Sequence, residues 1–273
     1  MKIVRKSAIV VVLVVFFLCI SYINYCLYSR TDYLIRRVNK NWKMIENLYE
    51  VYSVRDVAIK LDTTALHVLC IGNSITHHAP SKGNFLGADS MWRGNWGMCA
   101  SRQDSDYVHR LEKKFKRYNK NTVFTRLNVW EWESDYTINK DSLFGSLCKN
   151  QDLIILRVGE NASDDDHFRD AFYDLVLYCK QFTDNVIITG LYWKNIEKEA
   201  AIIDVSRKFN IPYVPLFWIF DLYKDKVMFS VGDTLYDTRG KPYPLATDFI
   251  CTHPNDEGMR MIADAIYNVV IFE

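Results

Sequence analysis

Between residues 65 and 270 the chain alternates five short apolar runs with stretches of helical periodicity, a pattern that few folds accommodate. The apolar runs are His67–Ile71, Val123–Val129, Leu153–Leu156, Val186–Thr189 and Tyr213–Leu216. Helical patterns cover Asp104–Arg117, Leu143–Lys149, Asp166–Phe182, Glu197–Phe209 and Asp256–Val270. Strands separated by helices imply a parallel sheet covered on both faces. Right-handed crossovers then predict an α/β fold, a flavodoxin-like three-layer α/β/α sandwich with a five-stranded parallel sheet. The 273 residues suffice for one such domain plus an anchor.

The anchor is read at the N-terminus. Lys2, Arg5 and Lys6 precede a run without charge from Ser7 to Ser29. That run exceeds the ~7–15 residues of a secretory apolar region and matches the ~20 that a spanning helix needs. No small-x-small cleavage site follows, so residues 1–30 are expected to be an uncleaved transmembrane signal anchor, with the membrane as partner through residues 7–29. Residues 31–62 read as a stalk or packing helix, with Leu34, Val38, Trp42, Ile45 and Leu48 at roughly helical spacing. Residues 63–273 are then the sandwich. Arg30, Arg36, Arg37, Lys40 and Lys43 follow the span and, by the positive-inside rule, favour a cytoplasmic domain. Large domains translocate regardless of such charges, so orientation rests on function.

A formal net charge of +1 leaves no excess of cations for phosphates, so nucleic acid is not an expected partner. Arg110, Lys113, Lys114, Lys116 and Arg117 read as the wet face of a helix. The seven cysteines include no Cys-x-x-Cys pair, which argues against zinc. They are expected to pack as small hydrophobes, with at most one pair bridged. His77 and His78 have no carboxylate cluster beside them and read as loop residues lining a cleft, so neither a metal nor a cofactor is implied.

Chemistry enters at the strand ends. Gly72-Asn73-Ser74-Ile75-Thr76 follows the first apolar run, where a serine turn lies at the carboxyl edge of the sheet. Gly94-Asn95-Trp96-Gly97 comes next, then Arg157-Val158-Gly159-Glu160-Asn161 after the middle run, and Thr252-His253-Pro254-Asn255 near the C-terminus. In this order the four segments resemble the blocks of the SGNH (GDSL-type) hydrolase family, over roughly residues 65 to 270. The resemblance implies a serine esterase with Ser74 as nucleophile and His253 as general base. It also implies oxyanion donors at the Ser74 N–H, the Gly97 N–H and the Asn161 side-chain amide. Gly94 competes with Gly97, which is preferred because Gly97-Met98-Cys99-Ala100-Ser101 leads into a helix N-terminus.

The chain departs from the family twice. Asn73 stands where the family motif has Asp, and Ile250 stands where the family places the triad aspartate, three residues before the histidine. Asp248 is the carboxylate nearest that position, and a backbone carbonyl is the other acceptor able to orient the imidazole. The reading is a Ser74–His253 dyad with Asp248 as a helper. The expected substrate is an acylated small molecule or carbohydrate, most simply an acetylated one. Because the family works on envelope or secreted material, the domain is expected outside the cytoplasm. Two alternatives share the residues: an O-acetyltransferase acting on envelope polysaccharide, and a non-catalytic envelope-binding protein. Lys224–Thr247 reads as an insertion shaping the substrate rim. Trp92, Trp96, Trp130 and Trp132 read as core or cleft wall.

Overall fold

In the computed structural model of this protein, residues 59–61, 66–81, 92–162 and 165–272 are described. The anchor expected at 1–30 and nearly all of the stalk expected at 31–62 lie outside them. Among the described residues no helix is long and apolar enough to cross a membrane.

Five strands form a parallel sheet: β2 (His67–Gly72), β3 (Val123–Asn128), β4 (Leu153–Arg157), β5 (Val186–Thr189) and β6 (Tyr213–Val214). Their order is β3-β2-β4-β5-β6, and every pair is parallel. This is the flavodoxin-like order expected from the alternation, with its topological switch between β2 and β4. Strand residues alternate sides. Val68, Cys70, Leu153, Ile155 and Ile187 join a core with α1 (Tyr107–Phe115) and α7 (Asp256–Tyr267). Leu69, Ile71, Ile154, Leu156 and Ile188, equally buried, turn to the opposite face. Helix α1 packs on α7, which packs on α5 (Phe217–Val227), while α3 (Asp165–Cys179) packs on α4 (Ile196–Phe209). Continuous apolar strands therefore have both sides covered, as such strands require.

Several elements depart from the expectation. Ile59–Leu61, assigned above to the end of the stalk, is a strand, β1, paired in parallel with β9 (Val270–Phe272). The final helix therefore stops at Tyr267, and Val270 begins a strand. Short α2 (Trp130–Ser134) follows β3 directly. The insertion contains an antiparallel hairpin, β7 (Thr234–Tyr236) with β8 (Pro242–Pro244), and a single turn, α6 (Asp248–Cys251), follows it. The five described cysteines are free and buried.

Candidate active site

The site lies where β2 and β4 end, at the switch point of the sheet. Ser74 sits on the turn after β2, in which the Thr76 and His77 amides both donate to the Asn73 carbonyl, at 2.9 and 3.0 Å. The Met98 amide donates to the Ser74 carbonyl at 2.8 Å, so the glycine loop is laced to this turn. The same loop is tied to the last helix: Ser101 donates through its N–H and its hydroxyl to Asp256, at 2.7 and 2.6 Å. Asn255 caps α7 by accepting from the Glu257 and Gly258 amides, and its own amide donates to the Lys226 and Met228 carbonyls. Segments more than 150 residues apart thus meet.

Ser74 Oγ lies 3.0 Å from His253 Nε2, within hydrogen-bond reach. The imidazole is 3% exposed, so it is shielded on nearly every side. Trp193 meets it edge-on, with centroids 5.2 Å apart, and Phe249 lies at 5.6 Å. Burial pushes the ring's pKa down to about 4; the Phe249 carbonyl pulls the other way, and His78 and Arg157 add to the depression. At neutral pH the ring is therefore an unprotonated base. For Nε2 to accept the serine proton, Nδ1 must carry its own hydrogen. Nδ1 is buried without a hydrogen bond of ordinary geometry, although the Phe249 and Ile250 carbonyls are close enough to favour the protonated ring.

Asp248 does not fill that gap. Its residue is exposed at the start of α6, and no hydrogen bond or ion pair joins it to His253 among the described residues. The position three before the histidine is taken by Ile250, 4% exposed and part of the core, so the turn itself places an apolar side chain there.

The three expected oxyanion donors separate. Asn161 lines the cleft beside Ser74 and His253. Its amide Nδ2 donates one hydrogen to Glu133 Oε2 at 2.7 Å, which leaves the second available. Gly97 is a correction: its N–H donates to buried Asp106 Oδ2 at 3.0 Å and is not free for a substrate. Asp106 is fully buried and also accepts from the His109 amide and ring, so it needs these donors. Gly97 is glycine for another reason, since a Cβ there would fall 2.4 Å from the Ile75 carbonyl oxygen. Of the three expected donors, the Ser74 N–H and the second Asn161 amide hydrogen have no hydrogen-bond partner among the described residues.

Behind these groups lies a buried polar cluster that local sequence reading missed. Glu133, on α2, accepts from Asn161, from Asn73 at 3.2 Å and from the Gly159 amide. Gly159 has φ +123°, a region that side chains resist, and this conformation follows directly from the end of β4. Asn73 also donates to Glu160 at 2.6 Å and accepts from Arg157 at 2.8 Å; Arg157 in turn pairs with Glu160. Burial and the neighbouring Glu160 raise the Glu133 pKa, against the hydrogen bonds from Gly159, Asn161 and Asn73. Asn73 in place of Asp makes physical sense here. Its amide gives two carboxylates a donor each, where a third carboxylate would repel both.

The cleft, about 830 Å³, opens between Ser74, His78, Asn161, Trp193 and His253. Trp130 and Phe249 stand on its rim, 55% and 58% exposed, whereas Trp92, Trp96 and Trp132 are core. His77 and His78 diverge as expected of loop neighbours, His77 toward Asn95 and His78 toward the Ala79 carbonyl. Among the described residues no group of His, Cys, Asp and Glu could hold a metal ion.

No family model matches the chain, and no curated protein matches it. Solved structures do. A two-domain esterase active on acetylated mannans is 17% identical, with a TM-score of 0.46 over 81% of this chain and 52% of its own. The chain therefore spans about half of that protein. The acetylxylan esterase Axe2 from Geobacillus stearothermophilus is 14% identical, with a TM-score of 0.46 over 76% of this chain and 95% of its own. A protein described as a GDSL-like lipase from Bacteroides uniformis is 13% identical, with a TM-score of 0.42 over 74% and 94%. The serine after the first sheet strand, the asparagine after the third and the histidine before the last helix converge on one cleft.

Proposed function

We propose that residues 63–273 form a serine ester hydrolase that removes acetyl groups from carbohydrate. The observation carrying this reading is the Ser74 Oγ–His253 Nε2 contact of 3.0 Å in an open cleft that also holds the Asn161 amide. Ser74 attacks the acyl carbon while His253 takes its proton, then returns that proton to the leaving alkoxide. The carbonyl oxygen becomes an oxyanion facing the Ser74 N–H and the free hydrogen of Asn161. Water, activated by the same imidazole, releases acetate. No step calls for a metal. With no carboxylate at Nδ1, the transient imidazolium is favoured only by the Phe249 and Ile250 carbonyls, which fits a dyad. The exposed rings of Trp130 and Phe249 suit stacking against a sugar face.

Incubation of the purified chain with p-nitrophenyl acetate and with an acetylated glycan tests the reading. Acetate release from both is expected; inertness toward both would remove it. Residues 7–29 are proposed to anchor the enzyme with this domain outside the cytoplasm, supported by the long uncharged run without a cleavage site. Carbonate extraction checks the anchor, and a C-terminal topology reporter checks the side.

A further inference from the structure

A second imidazole, that of His78, lines the same cleft as Ser74 and His253. Its backbone is fixed on both sides. The His78 N–H donates to the Trp96 carbonyl at 2.9 Å within an isolated antiparallel bridge, and the His78 carbonyl accepts from Trp92 Nε1 at 2.9 Å. The ring is fixed too, because Nδ1 lies 2.6 Å from the Ala79 carbonyl oxygen. A carbonyl can only accept, so Nδ1 carries the hydrogen and Nε2 keeps its lone pair. Among the described residues nothing donates to Nε2, and that atom is not among the sealed polar atoms that lack a partner. Burial lowers the ring's pKa, which keeps it neutral and accepting at neutral pH.

His78 is not a second base for the nucleophile, since Ser74 Oγ is already paired with His253. What it offers the cleft is an acceptor without a donor. An acetyl group has no hydrogen to give: its methyl is apolar and its carbonyl oxygen accepts. The donor must come from the alcohol half of the ester. Resting on the ester-hydrolase reading, we infer that His78 Nε2 accepts a hydrogen bond from a free hydroxyl beside the esterified carbon, and so selects esters of polyols and sugars over simple alkyl esters. A site built to pair with a hydroxyl discriminates against analogues that lack it, because its polar atom is then left alone.

The test compares two esters of matched size, 2-hydroxyethyl acetate and propyl acetate, hydrolysed by the full-length chain and followed by acetate release. The wild type should prefer the hydroxylated ester in kcat/KM by about tenfold, the scale of one hydrogen bond. His78→Ala should bring the ratio close to one, and His78→Gln, whose side-chain oxygen also accepts, should restore part of it. Equal use of the two esters by the wild type, or an unchanged ratio in His78→Ala, overturns the inference and leaves the hydrolase reading standing. A wild type that cleaves p-nitrophenyl acetate but neither of these esters overturns the inference alone; one inert toward p-nitrophenyl acetate and an acetylated glycan as well removes the hydrolase reading with it. The wild-type ratio alone can decide against the role of His78, whatever the variants do.

Discussion

Glu133 Oε2 accepts a hydrogen bond from Asn161 Nδ2 at 2.7 Å, and this contact turns a loop amide into an aimed one. Asn161 is exposed on a loop after β4, where a free side chain would sample several rotamers. Glu133, 1% exposed and held by Gly159 and Asn73 as well, fixes one amide hydrogen and thereby the direction of the other. Asn161→Ala should lower kcat by roughly 100- to 1,000-fold while changing KM little, because its partner charge exists only in the transition state. Glu133→Gln should reduce kcat in the same direction by a smaller factor. Steady-state kinetics on one activated acetyl ester measures both, and a loss confined to KM in Asn161→Ala would contradict the role given to its amide.

Ser74→Ala and His253→Ala should each abolish hydrolysis while leaving the circular dichroism spectrum unchanged. Nucleophile and base work as one unit across their 3.0 Å contact, so the double variant should be scarcely worse than either single one. Additive losses would mean that the two residues act separately.

The inner sheet strands were legible to within two residues at each end because they are buried on both faces and apolar nearly throughout, as Leu153–Leu156 is, whereas the edge strand Val123–Asn128 is only partly buried and carries Thr125, Arg126 and Asn128. Ser74, Asn161 and His253, which the fold brings to one cleft, could be singled out in the sequence because each ends or begins an element, where a short motif reports local geometry. Gly97 misled because a glycine needed for close approach to Ile75 looks the same in sequence as one needed for a free N–H. The pairing of Ile59–Leu61 with Val270–Phe272 left no trace, since three residues carry too little periodicity. Glu133 was invisible for a different reason. Its partners Asn73, Gly159 and Asn161 come from the ends of two other strands, and no local spacing encodes that meeting.

The acid limb of the pH–rate profile should fall near pH 4, well below the usual histidine range. Burial depresses the His253 pKa from 6.5 to about 4, so the ring remains a competent base down to that value. Stability follows the same group. Between pH 6.5 and 4 the unfolded chain binds a proton at this site and the native one does not, so stability falls as pH drops through the window. The profile of kcat/KM on p-nitrophenyl acetate between pH 3.5 and 8 checks the first statement; a midpoint near 6.5 would contradict it.

Asp248→Asn should cost less than about tenfold in kcat, against the ~10,000-fold seen where a true triad aspartate is replaced. Its residue is exposed, and Nδ1 of His253 makes no bond to it. Placing a carboxylate at the family's position, Ile250→Asp, should not help. That site lies 4% exposed in the core, and an unpaired charge there is expected to destabilise the fold instead. Kinetics of Asp248→Asn and thermal unfolding of Ile250→Asp decide between a dyad and a hidden triad.

Asn73→Asp installs the residue of the motif that Gly72-Asn73-Ser74 resembles and should nevertheless damage this protein. In the buried cluster Asn73 Nδ2 donates to Glu160 at 2.6 Å and to Glu133 at 3.2 Å, while its oxygen accepts from Arg157 at 2.8 Å. Aspartate would keep the arginine contact and turn both donors into acceptors, bringing a third carboxylate against two others around a single guanidinium. Breaking a buried charged network in this way costs about 3–5 kcal/mol. Urea unfolding at pH 7 should show a loss of that order, with activity falling in parallel because Glu133 also aims Asn161. The loss should shrink at low pH, where protonating one carboxyl restores a donor. Replacing Glu133 by Gln in the Asn73→Asp background should recover part of the stability, since an amide then faces the new carboxylate. An Asn73→Asp variant as stable as the wild type at pH 7 would show that the cluster tolerates three carboxylates and that Asn73 has no electrostatic role.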